Sequence, residues 1–321
     1  MRVVVLSGGR SSEHDVSLRS GAAVAAGLRA GGHEPVEVTI GRGGDWSYAG
    51  GNVELTPAGG LLGAEAAFPA LHGPFGEDGS IQGLLEWLDV PYVGSDVLSS
   101  AVCMDKLTLK RLFAANDVPQ VDFTAVEGAD WWGRCERLGL PLWVKPSRLG
   151  SSVGITRVDS LDQLDEAVDL ALRHDPRVIV EASARGREVE CSVLGNEDPE
   201  TSLPGEIVAH ADWYDFEAKY TEGGMELRVP APIEEAAIAR VRELAASVFA
   251  LAGCSGLARC DFFVEPGGEV LVNEINTMPG FTETSVYAKL FETSGVAYAD
   301  LCNRLVELAI ERHRRARSYE F

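Results

Sequence analysis

At 321 residues the chain is long enough for two or three domains with a sizeable core. Its hydrophobic content of 45% and charged content of 24% are those of an ordinary globular protein, and 49 acidic against 28 basic residues leave a net charge of −21. That balance argues against nucleic acid and anionic membrane as partners, since both demand a basic surface, and an anionic substrate would need a local basic pocket.

Six scattered cysteines, at 103, 135, 191, 254, 260 and 302, lack CxxC spacing, so neither a zinc knuckle nor a disulfide framework is indicated. The chain opens on a strand-like run at 3–6 that is too short for a signal peptide, and no later stretch is long enough to span a bilayer. A cytoplasmic protein is expected. An alanine-rich helix at about 17–28 and a strand at 36–40 complete a βαβ opening, in which ligands gather where strands end and helices begin. The turn at Ser7-Gly8-Gly9 lacks GxGxxG, so no dinucleotide site is assigned. Glu13 stands at the helix start, where an acid can serve a site or simply complement the helix dipole. Residues 41–60 read as a glycine-rich loop, 81–88 as an amphipathic helix, 91–94 as a short strand and the polar stretch 95–100 as a domain boundary. Asp105 is placed to cap a helix over 106–115 that Val118-Pro119 stops.

The strand at 141–146 carries Lys145 and leads into Gly150-Ser151-Ser152-Val153-Gly154. The backbone N–H groups and hydroxyls of such a loop can cradle phosphate oxygens, although a plain hairpin turn has the same composition. It is not the GxxxxGK[ST] loop, which rules out the common NTPase reading. Lys106 and Lys145 are candidate phosphate cations. A capping box from Ser160 to Gln163 opens a helix to about 174. A strand at 178–181 ends in Glu181, and Arg187-Glu188 begins another. Residues 214–220 form a polar, aromatic loop. Helices are expected at 234–251 and from about 298, the latter with a basic end, 312–317, suited to its own C-terminus.

Residues 258–280 organise the rest. Two runs rich in β-formers flank Pro266-Gly267-Gly268, which predicts a hairpin. Pairing symmetric about the Gly267–Gly268 bond sets Asp261 opposite Glu274 and Arg259 opposite Asn276, with all four on one face. Cross-strand Cβ atoms about 5 Å apart allow two carboxylates to share a cation. Hard oxygen ligands of this kind suit Mg²⁺, which takes one or two carboxylates plus substrate phosphates. The alternative is a solvated charged face, against which the apolar residues between the polar ones argue.

These pieces resemble the D-alanine–D-alanine ligase family of the ATP-grasp superfamily along essentially the whole chain. The resemblance is carried by SSEHDVSLRS, LHGPFGEDGSIQG, the Asp105-Lys106 pair, VKPSRLGSSVG, GREVE, YDFEAKY and RCDFF…NEINTMPGFTETS. It implies an α/β chain with α+β lobes: a three-domain ATP-grasp protein with an N-terminal Rossmann-like domain. The domains implied are a substrate domain at 1–98, a central lid at 99–180 and a catalytic domain at 181–321. By the same resemblance, ATP phosphates meet Lys106, Lys145, Lys219 and the loop serines Ser151 and Ser152, adenine meets Glu181 and ribose Glu188. Asp261, Glu274 and Asn276 would ligate two Mg²⁺ ions, with Mn²⁺ as a substitute. Glu13 would hold the first D-alanine's ammonium with His72 near it, and Ser151 and Tyr220 would complete a hydrogen-bond chain with Glu13. Arg259 and the backbone of Gly280 would stabilise the oxyanion, and Ser285 would contact the second carboxylate. The activity implied is ATP-dependent joining of two D-alanines through an acyl phosphate, for peptidoglycan precursors. Alternatives are D-serine or D-lactate as second substrate, or a catalytically silent regulator. Lys219-Tyr220 resembles amide-forming rather than ester-forming relatives, and a homodimer is expected. Departures from the family pattern are Val286, Ala288 and Asp89, of which the first two bear on the second-substrate pocket.

Overall fold

The computed structural model describes residues 1–209 and 225–320. The expectations for Lys219, Tyr220 and the 214–220 loop therefore lie outside the described residues. Three sheets follow one another along the chain. The first holds β1 (Arg2–Gly8), β2 (Glu34–Ile40), β3 (Trp46–Tyr48), β4 (Gly51–Asn52) and β5 (Ala66–Pro69), in the order β4-β3-β2-β1-β5. β1 runs parallel to both β2 and β5. Val3 and Val5 join the core shared with the C-terminal helices, whereas Val4 and Leu6 join the core on the other face. A central parallel strand is apolar on both sides for that reason. Helix α1 (His14–Ala30) crosses between β1 and β2, and α2 (Ser80–Leu88) follows β5.

Helices α3 (Val97–Met104) and α4 (Lys106–Ala115) lead to the second sheet. It is antiparallel, with β6 (Phe123–Ala125), β7 (Leu142–Pro146), β8 (Thr156–Val158) and β9 (Val178–Ala182) in the order β6-β9-β7-β8. Helices α5 (Trp131–Leu138) and α6 (Leu164–Leu172) cover it. The third sheet runs β13-β12-β10-β14-β15, with β11 (Glu200–Thr201) paired to β10. Its strands are β10 (Arg187–Gly195), β12 (Gly205–Ala209), β13 (Met225–Arg228), β14 (Gly256–Val264) and β15 (Val270–Asn276). Helix α7 (Glu235–Leu251) packs on its far face through Val241, Leu244, Val248 and Phe249. Helices α8 (Val286–Thr293) and α9 (Tyr298–Ala316) join this unit to α1 and β5 around Phe281, Tyr287 and Leu305.

Several local expectations are corrected. The 41–60 loop contains the small β3–β4 hairpin. Residues 91–94 form an isolated bridge from Tyr92 to Ala67 instead of a strand. The polar boundary at 95–100 is the start of α3, because the Asp96 carboxylate accepts a hydrogen bond from Ser99 N at 2.9 Å and caps a helix that its serines disguise. Helices α5 and α8 had no sequence expectation. The basic end of α9 grips the first domain: Arg312 donates to Tyr92 O at 3.0 Å and stacks 4.2 Å from that ring, and Arg317 donates to Asp89 at 2.9 Å. Asp89 itself takes φ +55 at the end of α2, a left-handed position where glycine is the usual choice. The six cysteines are free and buried, and among the described residues no helix is long and apolar enough to cross a membrane.

Candidate active site

A cleft of about 1080 Å³ opens between the three sheets. Every described residue given a site role in the sequence lines it: Glu13, His72, Lys106, Lys145, Ser151, Ser152, Glu181, Glu188, Arg259, Asp261, Glu274, Asn276 and Ser285, with Gly280.

The hairpin β14–β15 forms one wall. Asp261 faces Glu274 and Arg259 faces Asn276, as expected, but for a different reason. Next to the turn, Val264 pairs with Val270 and Phe262 with Val272, so the ladder is centred on Gly267, one register off the symmetric guess. The turn closes through Gly268 N to Glu265 O at 2.8 Å, with Gly268 at φ +84. A bulge then adds Asn273 and brings Glu274 opposite Asp261. In the neighbouring strand Glu190 pairs with Asp261, so Glu190, Asp261 and Glu274 form a row of carboxylates across three strands. Arg259 answers this row. Its Nε and Nη2 donate to Asp261 at 2.7 Å each, and Glu190 lies 3.0 Å from Nε. Burial works against the guanidinium, but Asp261 and Glu190 overcome it and raise its pKa well above the usual value. Asn276 Nδ2 donates to Asp261 Oδ2 at 3.0 Å.

The opposite wall is basic. Asp105 caps α4 through Thr108 N and is tied to the second sheet by Ser147 and Arg177. This docking carries Lys106 to within 3.2 Å of Glu274 Oε2 and lets its Nζ donate to Leu149 O at 3.2 Å. Burial opposes the Lys106 charge, yet Glu274 prevails and its pKa is raised. Lys145, on β7, donates to Glu181 Oε2 on β9 at 2.6 Å. Glu181 is fully buried; burial alone would raise its pKa, but Lys110 and then Lys145 bring it down to about 2.

The third side comes from the first sheet. Glu13 begins α1 but makes no capping bond with its side chain. Its carboxylate instead accepts from Ser151 Oγ at 2.5 Å, which joins the first domain to the loop of the second. Gly73 makes room for it, since a Cβ there would stand 2.6 Å from Glu13 Oε2. Ser151 and Ser152 hold φ of +54 and +58, a conformation costly for residues with side chains and concentrated at functional loops. His72 Nδ1 lies 3.0 Å from Met278 O, which can only accept, so Nδ1 carries the proton and Nε2 accepts from Ser20 Oγ at 2.8 Å. Burial, against the pull of Glu13, lowers its pKa, so it ties two domains as a neutral ring. Ser285 precedes α8 and accepts from Thr282 N at 3.0 Å, with Gly280 beside it.

Three further residues had no assigned role in the sequence. Glu77 lines the cleft, accepts from Gly73 N at 2.6 Å, and is raised to about 8 by burial and the nearby Glu13 charge. Glu190 lies two residues after Glu188 on the same strand face, a period-2 signal the sequence offered. Lys110 lies one turn after Lys106 on α4, buried against Glu181.

Paired carboxylates, an arginine among them and lysines opposite, set between an antiparallel sheet and a covering lobe, define the ATP-grasp class of ligases. The D-ala D-ala ligase N-terminus family model matches residues 2–60 and 54–95, and the C-terminus model matches residues 112–307. The D-alanine–D-alanine ligase of Deinococcus radiodurans is 46% identical over 97% of this chain and 98% of its own length. That of Solibacter usitatus is 43% identical over 100% and 99%. The solved D-alanine–D-alanine ligase of Coxiella burnetii superposes with a TM-score of 0.91 at 36% identity, covering 99% of this chain and 96% of that one. The chain belongs to the D-alanine–D-alanine ligase family.

Proposed function

We propose that the protein joins two D-alanines into D-alanyl-D-alanine with cleavage of ATP to ADP and phosphate, for peptidoglycan precursors. The observation that carries this reading is the hydrogen bond from Ser151 to Glu13, because it brings the glycine-serine loop onto the amino-acid side of a cleft whose other walls hold two lysines and Arg259. The D-alanine–D-alanine ligases to which the chain is similar support the same reading.

Glu13 holds the ammonium of the first D-alanine, with neutral His72 alongside. Lys106, Lys145, Ser151 and Ser152 receive the ATP phosphates, Glu181 the adenine and Glu188 the ribose. The first carboxylate attacks the γ-phosphorus, the bond to the β-bridging oxygen breaks, and ADP leaves. The neutral amine of the second D-alanine, its carboxylate near Ser285, then attacks the acyl carbon. Arg259 and the Gly280 N–H stabilise the oxyanion, phosphate leaves and the amine gives up a proton. Lys219 and Tyr220, which complete the set by resemblance, lie outside the described residues. Among the described residues no three His, Cys, Asp or Glu side chains form a closed metal cage, but Mg²⁺ needs only one or two carboxylates beside phosphate oxygens. Asp261, Glu274 and Asn276, adjacent on β14 and β15, fit it as hard oxygen donors. Bound there, Mg²⁺, or Mn²⁺ in its place, would neutralise phosphate charge.

We take the three sheets as the frames of three domains, 1–98, 99–180 and 181–321, with β9 carrying the second sheet on to Ala182 and α3 already beginning at Val97. Exposed Trp87, Val97 and Leu98 on α2 and α3 support a homodimer, and six free thiols support a reducing cytoplasm. Sedimentation at micromolar concentration tests the dimer; a single monomer boundary would refute it. For the activity, phosphate release from ATP is measured with D-alanine, D-serine and D-lactate, alone and in pairs. D-Alanine alone should suffice, and ester product dominating with D-alanine and D-lactate at mildly acidic to neutral pH would overturn the reading of the second site.

A further inference from the structure

Lys110 touches no wall of the cleft and is 1% exposed. Its Nζ stands 3.4 Å from Glu181 Oε1 and 5.9 Å from the centre of the Phe123 ring, on the strand that pairs with β9. The other oxygen of the same carboxylate, Oε2, accepts from Lys145 at 2.6 Å. One carboxylate is thus held between two ammonium groups, in a chain that runs from the interior to the cleft. Lys106, one turn earlier on α4, is matched separately by Glu274. A purely structural ion pair needs one lysine. A second, buried and in surplus, is costly unless an anion outside completes the balance. The two ends of the chain differ in the way such a device requires, since Lys145 lines the cleft and Lys110 does not.

We propose that Lys110 is a positioning residue that neutralises Glu181 from behind and so leaves the charge of Lys145 directed at the phosphates of the nucleotide. This rests on the reading of the cleft as a nucleotide site. Without Lys110, Glu181 and Lys145 would close on each other as a neutral pair, and a polyanion would meet a weaker field. Burial pulls the Lys110 ammonium down and Glu181 opposes it, while Lys110 heads the charges that hold Glu181 ionised.

The probe is inorganic tripolyphosphate, which has no adenine, titrated calorimetrically at fixed Mg²⁺ into the intact protein. Lys110→Met should weaken its binding about tenfold and raise KM for ATP by a similar factor, leaving KM for D-alanine within about twofold. The double variant Lys110→Met with Glu181→Gln removes the charge that needed neutralising, and should bind tripolyphosphate within about threefold of the parent. Unchanged binding in Lys110→Met, or KM values for ATP and D-alanine that rise together, would overturn the proposal. If Lys110→Met does not fold, the double variant decides alone: binding about tenfold weaker than the parent overturns the charge account. Binding needs no turnover, so a parent that holds tripolyphosphate but makes no dipeptide would refute the ligase reading and leave this inference standing. A parent that does not hold it would refute the inference.

Discussion

The two long walls of the cleft carry opposite charge and reach the site by different routes. The acidic wall, Glu190, Asp261 and Glu274, is made by strand alternation within one sheet, so neighbours in space are set by pairing register. The basic wall, Lys106 and Lys145 with Lys110 buried behind them, is made by docking a helix onto a second sheet through Asp105, Ser147 and Arg177. Within the first, Asp261 and Glu274 are local geometry that survives as long as the hairpin forms, and Glu190 is added by the pairing of β10 with β14. The second depends wholly on contacts between segments about 40–70 residues apart, the kind that loop-closure entropy makes harder to read and harder to form.

The sharpest way to break the acidic wall is Glu274→Gln, which removes one charge from the row while keeping size and hydrogen-bonding capacity. Turnover at millimolar Mg²⁺ should fall roughly a thousandfold with an unchanged melting profile, and activity within a few-fold of the parent would remove Glu274 from the chemistry. On the basic wall, Lys145→Ala should raise KM for ATP and lower kcat, for a loss of about a hundredfold in kcat/KM. An ATP dependence like the parent's would show that Lys145 serves only Glu181.

Glu77 sharpens the comparison because it adds an acid to the site without adding a charge. Burial keeps its proton up to about 8, whereas its ordinary value is 4.5. The folded state therefore binds more protons than the unfolded one across that window, and stability should fall as pH rises through it. Glu77→Gln should flatten the decline in melting temperature between about pH 5 and pH 8; an identical slope in both proteins would show that the group is not protonated. The smallest effect is expected where the walls meet. The loop from Gly150 to Gly154 should gain hydrogen-exchange protection when ATP and D-alanine are bound, and equal protection with and without them would count against closure over the site.

The same contrast explains what the sequence disclosed. Arg259, Asp261, Glu274 and Asn276 could be set on one face because period-2 alternation and a glycine turn are short-range signals, while their exact pairing came from a turn one register off that the bulge at Asn273 offsets. For Glu190, alternation gave the strand face it shares with Glu188, but its place beside Asp261 needed the pairing of β10 with β14. Lys110 was equally out of reach, because its partner Glu181 is 71 residues away and only the docking of α4 brings them together. Among the elements, α3 was hidden by its serines, and α5 and α8 are short and depend on what they pack against. The basic end of α9 looked like a dipole complement, since nothing local announced that Tyr92 and Asp89 would receive it.

The bulge at Asn273 gives the hairpin a parity rule for length. In the sequence of β15 the alternation slips where Asn273 and Glu274, both facing the cleft, follow each other between Val272 and Ile275. Asn273 is the residue the ladder does not count. A chain lacking it would run a regular ladder with Glu274 still opposite Asp261. A chain lacking Ile275 would carry Asn276 to the side where Cys260 is buried, and the cleft would lose a polar side chain to the core. Deletions one residue apart in kind and two apart in position thus have opposite fates, and only the first is a length change this strand can absorb.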